Sequence, residues 1–280
     1  MLALWFASSC ASARYTMDLS TRVEYASRDA AWLNFTLVNL GDEIAYNVRL
    51  EPVLPAGMES NNLYVNGLPP GYVLNGSLSV NASPGMLDGT YPLVLVLRYS
   101  DRNAYPLSVV YPQSFTLGRS SSSMVAVSIP DVSLTGKEPV DYDVGVVNRD
   151  SKKHNVTIRV YLPDELDVSV EEKTVEMEAL SAGRLKNTLW SAGALYDSDY
   201  AALASVSYVE DGVMHSSLAS GRVRVVKPPE IRVEDSFFKR NQDALIHFIY
   251  VSLAVVFYVS AAEKGGVSAE GEKKRVRRRR

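Results

Sequence analysis

The residues with which this chain could do chemistry are few: three histidines, one cysteine and two close pairs of aspartates. Asp141/Asp143 and Asp197/Asp199 each set two carboxylates on the same side of an extended segment, an arrangement that oxygen-ligated Ca²⁺ can use. Neither pair has the regular ligand spacing of a dedicated calcium loop, and solvated acidic side chains account for both. His154 falls in the turn at 152–155 and His215 beside Asp211-Gly212, so both read as hydrated loop residues and not as ligands. The lone Cys10 excludes an internal disulfide and a cysteine-based zinc site. No HExxH, GxSxG, Walker or GxGxxG pattern occurs. The expectation is a non-enzymatic chain without cofactor or metal.

Four Asn-x-Ser/Thr triplets, at Asn34, Asn75, Asn81 and Asn155, are acceptor sequences for N-linked glycans. Asn34 and Asn155 point away from the apolar faces of their strands, where a glycan fits. A hydrated surface amide is the alternative.

The scaffold that must carry these side chains is bounded by composition. Of 280 residues, 46% are apolar and 22% charged, close to the globular average. The net charge of −3 is unevenly spread, with −8 on residues 14–243 and +5 on residues 263–280. Residues 1–13 join a short apolar run to an Ala-Ser-Ala triplet, the pattern of a secretory leader cleaved after Ala13. Residues 244–262 carry no formal charge. At about 1.5 Å per residue they reach roughly 28 Å, near the ~30 Å hydrocarbon core, and predict one transmembrane helix. The cluster Lys273, Lys274, Arg275, Arg277, Arg278, Arg279 and Arg280 places the C-terminus in the cytoplasm and the acidic body outside, in a type I plasma-membrane topology. Attraction to an anionic leaflet, at roughly 1 kcal/mol per basic residue, explains the tail without nucleic acid. His247, Tyr250, Ala254, Tyr258 and Ala261 share one helical stripe, a face for a partner helix, because polar groups in hydrocarbon need protein neighbours.

Between these ends the sequence repeats once. Leu33, Phe35, Leu37, Val38 and Asn39 fall on Tyr142, Val144, Val146, Val147 and Asn148 at an offset of 109, as do Tyr91 and Tyr99 on Tyr200 and Tyr208. Asn47-Val48 and Leu54-Pro55 fall on Asn155-Val156 and Leu162-Pro163 at 108, a one-residue change assigned to a hairpin loop. Within each unit apolar and polar residues alternate: Leu33, Phe35 and Leu37 against Asn34 and Thr36; Val156, Ile158 and Val160 against Asn155, Thr157 and Arg159. Period two with β-branched and aromatic residues predicts half-buried strands, and two such units of about a hundred residues predict antiparallel β-sandwiches. Strands within residues 55–89 are not assignable, because glycines and prolines interrupt the pattern.

Val38-Asn39-Leu40-Gly41, then Ala45 to Leu50, then Asp88-Gly89-Thr90-Tyr91 ahead of Leu93-Val94-Leu95-Val96-Leu97, resemble the CARDB type of adhesion-related Ig-like domain and its NPCBM-associated relatives, common in archaeal and bacterial surface proteins. The second unit departs from the pattern: Arg149-Asp150 replace Leu40-Gly41, and Gly89 has no glycine counterpart. The resemblance covers about residues 17–228. It implies spacer, scaffold or interaction modules and carries over no catalytic residue.

The expected organisation is therefore an all-β fold with a leader at 1–13, Ig-like sandwiches at 14–119 and 120–228, a stalk at 229–243, a transmembrane helix at 244–262 and a basic tail at 263–280. The expected function is adhesion, envelope scaffolding or protein and glycan interaction at the cell surface, in a glycoprotein of archaeal type. The alternative is an accessory subunit of a membrane transport, secretion or glycosylation complex, docked through the transmembrane stripe.

Overall fold

The computed structural model describes residues 16–120, 122–229, 241, 243, 244 and 246–256. The leader at 1–13, Tyr258, Ala261, the basic cluster from Lys273 to Arg280 and most of the stalk lie outside the described residues.

The alternating segments form strands. The first half of the chain supplies β1 (Met17–Ala26), β2 (Ala30–Asn39), β3 (Ala45–Val53), β4 (Met58–Ser60), β5 (Leu63–Leu68), β6 (Val73–Ala82), β7 (Asp88–Ser100) and β8 (Pro106–Leu117). The second supplies β9 (Val125–Ser128), β10 (Val132–Thr135), β11 (Val140–Asn148), β12 (His154–Tyr161), β13 (Leu166–Val168), β14 (Glu172–Met177), β15 (Ala182–Ser191), β16 (Ser198–Glu210) and β17 (Val213–Val226). The stretch 55–89, silent in the sequence, thus holds β4, β5 and β6.

Two four-stranded sheets, in the orders β1-β2-β6-β4 and β13-β15-β11-β9, each pack on part of one nine-stranded sheet. That sheet runs β14-β12-β16-β17-β7-β3-β5, with β10 added to β17 and β8 to β7. The alternation decides which side chains enter. Leu33, Leu37, Val48 and Leu50 are fully buried in the first core, and Val144, Val146, Val156 and Ile158 are buried in the second. Burying one such side chain is worth roughly 1.5–3 kcal/mol. Partners of equal rank recur: β2 with β6 becomes β11 with β15, and β3 with β7 becomes β12 with β16.

The one-residue offset change is not in a hairpin loop. Ala45 and His154 are both buried strand starters, as are Val48 and Val156 further on, but two exposed residues, Tyr46 and Asn47, stand where the second unit has only Asn155. The register of β3 against β7 shifts between Tyr46 and Arg49, and Asn47 has φ 52°. The extra residue is a β-bulge inside β3, a position where asparagine tolerates the left-handed backbone. Asn47 Nδ2 donates to Ser100 Oγ at 3.2 Å and its Oδ1 accepts from Tyr64 Oη at 3.3 Å, so the bulge is tied down on both sides.

The two sandwiches are joined along their sheets. β17 pairs in parallel with β7 at Val213–Asp88 and Met214–Gly89. Beyond that pairing the outer faces of the two halves of the sheet pack on each other: Val94, Val96, Val110 and Leu203 form a third buried apolar cluster, flanked by Val53, Tyr161, Ala201 and Leu218. This explains why β7 is buried on both faces from Tyr91 to Leu97, as its unbroken apolar run requires.

Gly89 belongs to this joint. Its φ is 136°, and a Cβ there would lie 2.1 Å from the carbonyl oxygen of Met214. The missing glycine counterpart in the second unit follows, since the place of β17 beside β7 is not repeated there.

Residues 229–280 form a separate unit. Its described helix runs through residues 243, 244 and 246–256, and its apolar side chains are exposed all round, Phe248, Tyr250, Val251 and Val256 each by more than 60%. Among the described residues no helix is long and apolar enough to cross a membrane.

Candidate functional site

The site with the most chemistry lies at the β11–β12 turn of the second sandwich, where the repeat departs from itself. The turn is set by Asn148, whose Oδ1 accepts from the Asp150 amide at 2.9 Å. That fixes Asp150 so that its Oδ2 lies 2.7 Å from His154 Nε2. The first sandwich has Gly41 and Ala45 at these positions, so the fold itself requires neither the carboxylate nor the imidazole.

His154 is not a hydrated loop residue. It opens β12 with its side chain only 4% exposed. Its ring packs on Tyr208 of β16 at 4.4 Å between centroids, and Tyr208 stacks on His215 of β17 at 5.0 Å and 12°. His215 also lies in a strand, half-buried, and its Nδ1 is 3.0 Å from the Ser122 carbonyl oxygen to which it donates. Tyr208 Oη accepts from the Met124 amide at 3.0 Å. The buried histidine and its two ring partners thereby lock β12, β16, β17 and the segment before β9 together.

Glu210 completes the cluster. Asp150, His154 and Glu210 offer ligand atoms all within 4.8 Å of one another. One imidazole nitrogen and two carboxylate oxygens could hold a divalent transition metal. The Lys152 ammonium already pairs with Glu210 and lies 3.5 Å from Asp211, so a metal would have to displace it. The hydrogen bond from His154 holds the Asp150 carboxyl below the usual aspartate range. The signal for this site was the departure of Asp150 and His154 from Gly41 and Ala45, four residues apart in both copies.

A second polar group stands at the joint between the sandwiches. Glu165 is 5% exposed, and its carboxylate accepts from the Ser108 amide and from Ser108 Oγ, each at 2.6 Å. Ser108 Oγ in turn accepts from the Asp164 amide at 2.7 Å. Burial pushes the Glu165 carboxyl up, against these hydrogen bonds. Arg98 of β7 holds Asp164 through two hydrogen bonds, of 2.6 and 3.0 Å, and also pairs with Glu51. Beside them a cleft of about 800 Å³ is bounded by Asp42, Tyr99, Leu107, Glu165, Asp199 and Tyr200.

Asp197 and Asp199 both line this cleft, whereas Asp141 and Asp143 lie away from it and neither pair joins the cluster of Asp150, His154 and Glu210. Asp141 and Asp143 lie on the outer side of β11, where Asp141 accepts from Thr188 Oγ1 at 2.7 Å and Asp143 faces Arg184 at 3.6 Å. Asp197 sits in a left-handed turn position, φ 59°, so Asp197 and Asp199 do not share an extended segment. All four sequon asparagines are exposed. Asn34, Asn75 and Asn81 lie on the outer face of β2 and β6, and Asn155 on β12 opposite Glu176. His247, Tyr250 and Ala254 are exposed on the helix.

The fold defines an all-β protein of two joined β-sandwiches. No family model matches the chain, and no curated protein matches it in sequence. Among solved structures it is similar to the PapD-like domain 7 of human CEP192 (12% identity, TM-score 0.29, 39% of this chain and 89% of that one). It is also similar to the E. coli chaperone DraB (14%, 0.26, 39% and 56%) and to a protein of unknown function from Porphyromonas gingivalis W83 (12%, 0.31, 74% and 99%).

Proposed function

We propose that this chain is a non-enzymatic surface protein of the CARDB-like type, in which two fused Ig-like sandwiches form a rigid body for display outside the cell. The joint carries this reading: Val94, Val96, Val110 and Leu203 pack side against side, so the sandwiches act as one broad module and not as two beads on a flexible string. A joint with a buried apolar core holds the faces of both sandwiches in fixed relation, which suits presenting a composite surface.

The apolar helix supports attachment to a bilayer. Side chains such as Phe248, Ile249 and Val251 are exposed in the isolated chain, and contiguous apolar surface of this kind calls for lipid or a partner. The full chain should stay in the membrane fraction through an alkaline carbonate wash, and protease added to intact cells should reach the sandwiches but spare a tag placed after Arg280. Release of the whole chain by carbonate would sink the anchored reading.

A further inference from the structure

The turns that follow β2 and β5 bring four apolar side chains together at one end of the first sandwich. The Gly71 amide donates to the Asn39 carbonyl at 2.8 Å and the Asn39 amide to the Tyr72 carbonyl at 3.3 Å, so the two turns lie side by side. Val73 stands opposite Val38, and Ile44 lies against Gly67. Leu40, Tyr72 and Val73 are each at least half exposed and Ile44 more than a third, beside the exposed Pro69-Pro70. The second sandwich makes the same backbone bond, from the Asn148 amide to the Ser181 carbonyl, yet has Arg149, Lys153, Ser181 and Ala182 at the four places. One fold thus closes this end with charge on one copy and with apolar groups on the other. The contrast extends past the turns: residues 60–87 hold no Asp, Glu, Lys or Arg, whereas residues 169–196 hold seven.

Strand directions locate this tip on the body. β3 leaves the turn at Ala45 and runs against β7, with Tyr46 opposite Ser100, so the tip is at the C-terminal end of β7. β17 runs parallel to β7 from the pair Val213–Asp88, so both strands end on the same side. The last residues of β17 are found there: the Asp197 amide donates to the Val225 carbonyl at 2.8 Å, and Asp197 lines one cleft with Asp42 of the apolar turn. The charged turn of the second sandwich is at the other end, where Lys152 pairs with Glu210 and β17 begins. The chain therefore leaves the body for residues 229–280 on the side of the apolar tip and away from the charged one.

Half the area of four side chains falls short of the roughly 800 Å² per partner that a specific protein interface buries. A tethered surface needs less, because a chain already held at a bilayer makes its second contact as an intramolecular one. Tyrosine beside aliphatic side chains suits the boundary of headgroups and acyl chains, where the ring is buried and the hydroxyl stays wet. Anionic headgroups would repel Asp42 and Glu43 of the same turn, which selects a neutral surface. We propose that Leu40, Ile44, Tyr72 and Val73 dip into the zwitterionic lipid interface of the membrane that holds the chain, so that the body stands on its first sandwich with the Lys152–Glu210 end turned outward. This rests on the bilayer attachment proposed above and adds to it the side of the body that meets lipid.

The test uses the full chain with its native thiol removed (C10S), reconstituted in phosphatidylcholine vesicles that carry a shallow nitroxide quencher in both leaflets. A polarity-sensitive dye is placed on P70C, beside the apolar side chains, or on L180C, an exposed leucine at the far end. Flotation reads attachment of the chain, and dye emission reads contact of the body with lipid whichever way the chain is inserted. Both labelled chains should float, with a blue shift and quenching for P70C and neither for L180C. L40R/I44K, which installs the charges of the second sandwich, should abolish the shift and the quenching of P70C while flotation persists. Floating chains in which P70C is as unquenched as L180C, in which both are quenched alike, or in which P70C stays quenched in L40R/I44K, overturn the proposal and leave attachment standing. Chains that do not float overturn attachment and the proposal with it.

Discussion

Asn39 and Asn148 hold equivalent buried positions, 1% exposed each, and make the same three hydrogen bonds. Asn39 Nδ2 donates to the carbonyls of Glu43 and Leu68 and its Oδ1 accepts from Gly41, all at 2.8–2.9 Å. Asn148 does the same with Lys152, Glu178 and Asp150. Each asparagine satisfies, at the end of its strand, three backbone groups that the sheet leaves over. Alanine at either place leaves those groups buried without partners, and aspartate cannot donate to the two carbonyls. Urea unfolding of N39A and N148A should show losses of roughly 2–4 kcal/mol, with N39D and N148D no better. A loss under 1 kcal/mol would show that the turns do not depend on these amides.

Gly89 is tested by alanine. G89A meets the backbone of Met214 and a left-handed φ together, and should cost roughly 2–4 kcal/mol. G85A is the comparison: its φ is 94° but nothing lies within 4 Å of the added Cβ, so only the backbone cost of about 1–2 kcal/mol remains. Equal effects of the two on the denaturation midpoint would remove the joint from the account of Gly89.

Leu203 is fully buried in the cluster between the sandwiches. L203A should lose about 2–5 kcal/mol by vacating that space. Calorimetry should resolve one transition for the wild type and two for the variant, as each sandwich unfolds by itself. A single unshifted transition in L203A would mean that the outer faces contribute no coupling.

Glu165 and Asp150 should give opposite dependences on pH. The Glu165 carboxyl is raised by burial, so on raising pH the unfolded chain ionises first, and stability falls until the folded carboxyl has ionised too. E165Q removes that fall: between the ordinary glutamate range and neutrality its Tm should be flatter than the wild type's. The Asp150 carboxyl is lowered by His154, so its contribution is present above the ordinary aspartate range and disappears as pH drops through the depressed folded value. D150N should therefore lose less Tm on acidification than the wild type. Parallel Tm curves for a variant and the wild type would contradict the corresponding assignment.

What could be read from residue order alone was the strand alternation and the duplication. Leu33, Phe35 and Leu37 face a core because period two is a property of the extended backbone, and Asn39 falls on Asn148 because the same turn needs the same amide. Tertiary structure decided the rest. The added residue of the first copy became a bulge at Asn47 because β3 pairs with β7 on one side and β5 on the other, and both registers had to be met. His154 moved from an expected hydrated turn to a buried strand position because Tyr208 and His215, from strands distant in sequence, cover it. Gly89 acquired its role only when β17 of the other sandwich came to lie against it. Alternation is local and shows in a few neighbouring residues, whereas each of these outcomes depends on which distant strand arrives beside the residue, and no local pattern carries that information.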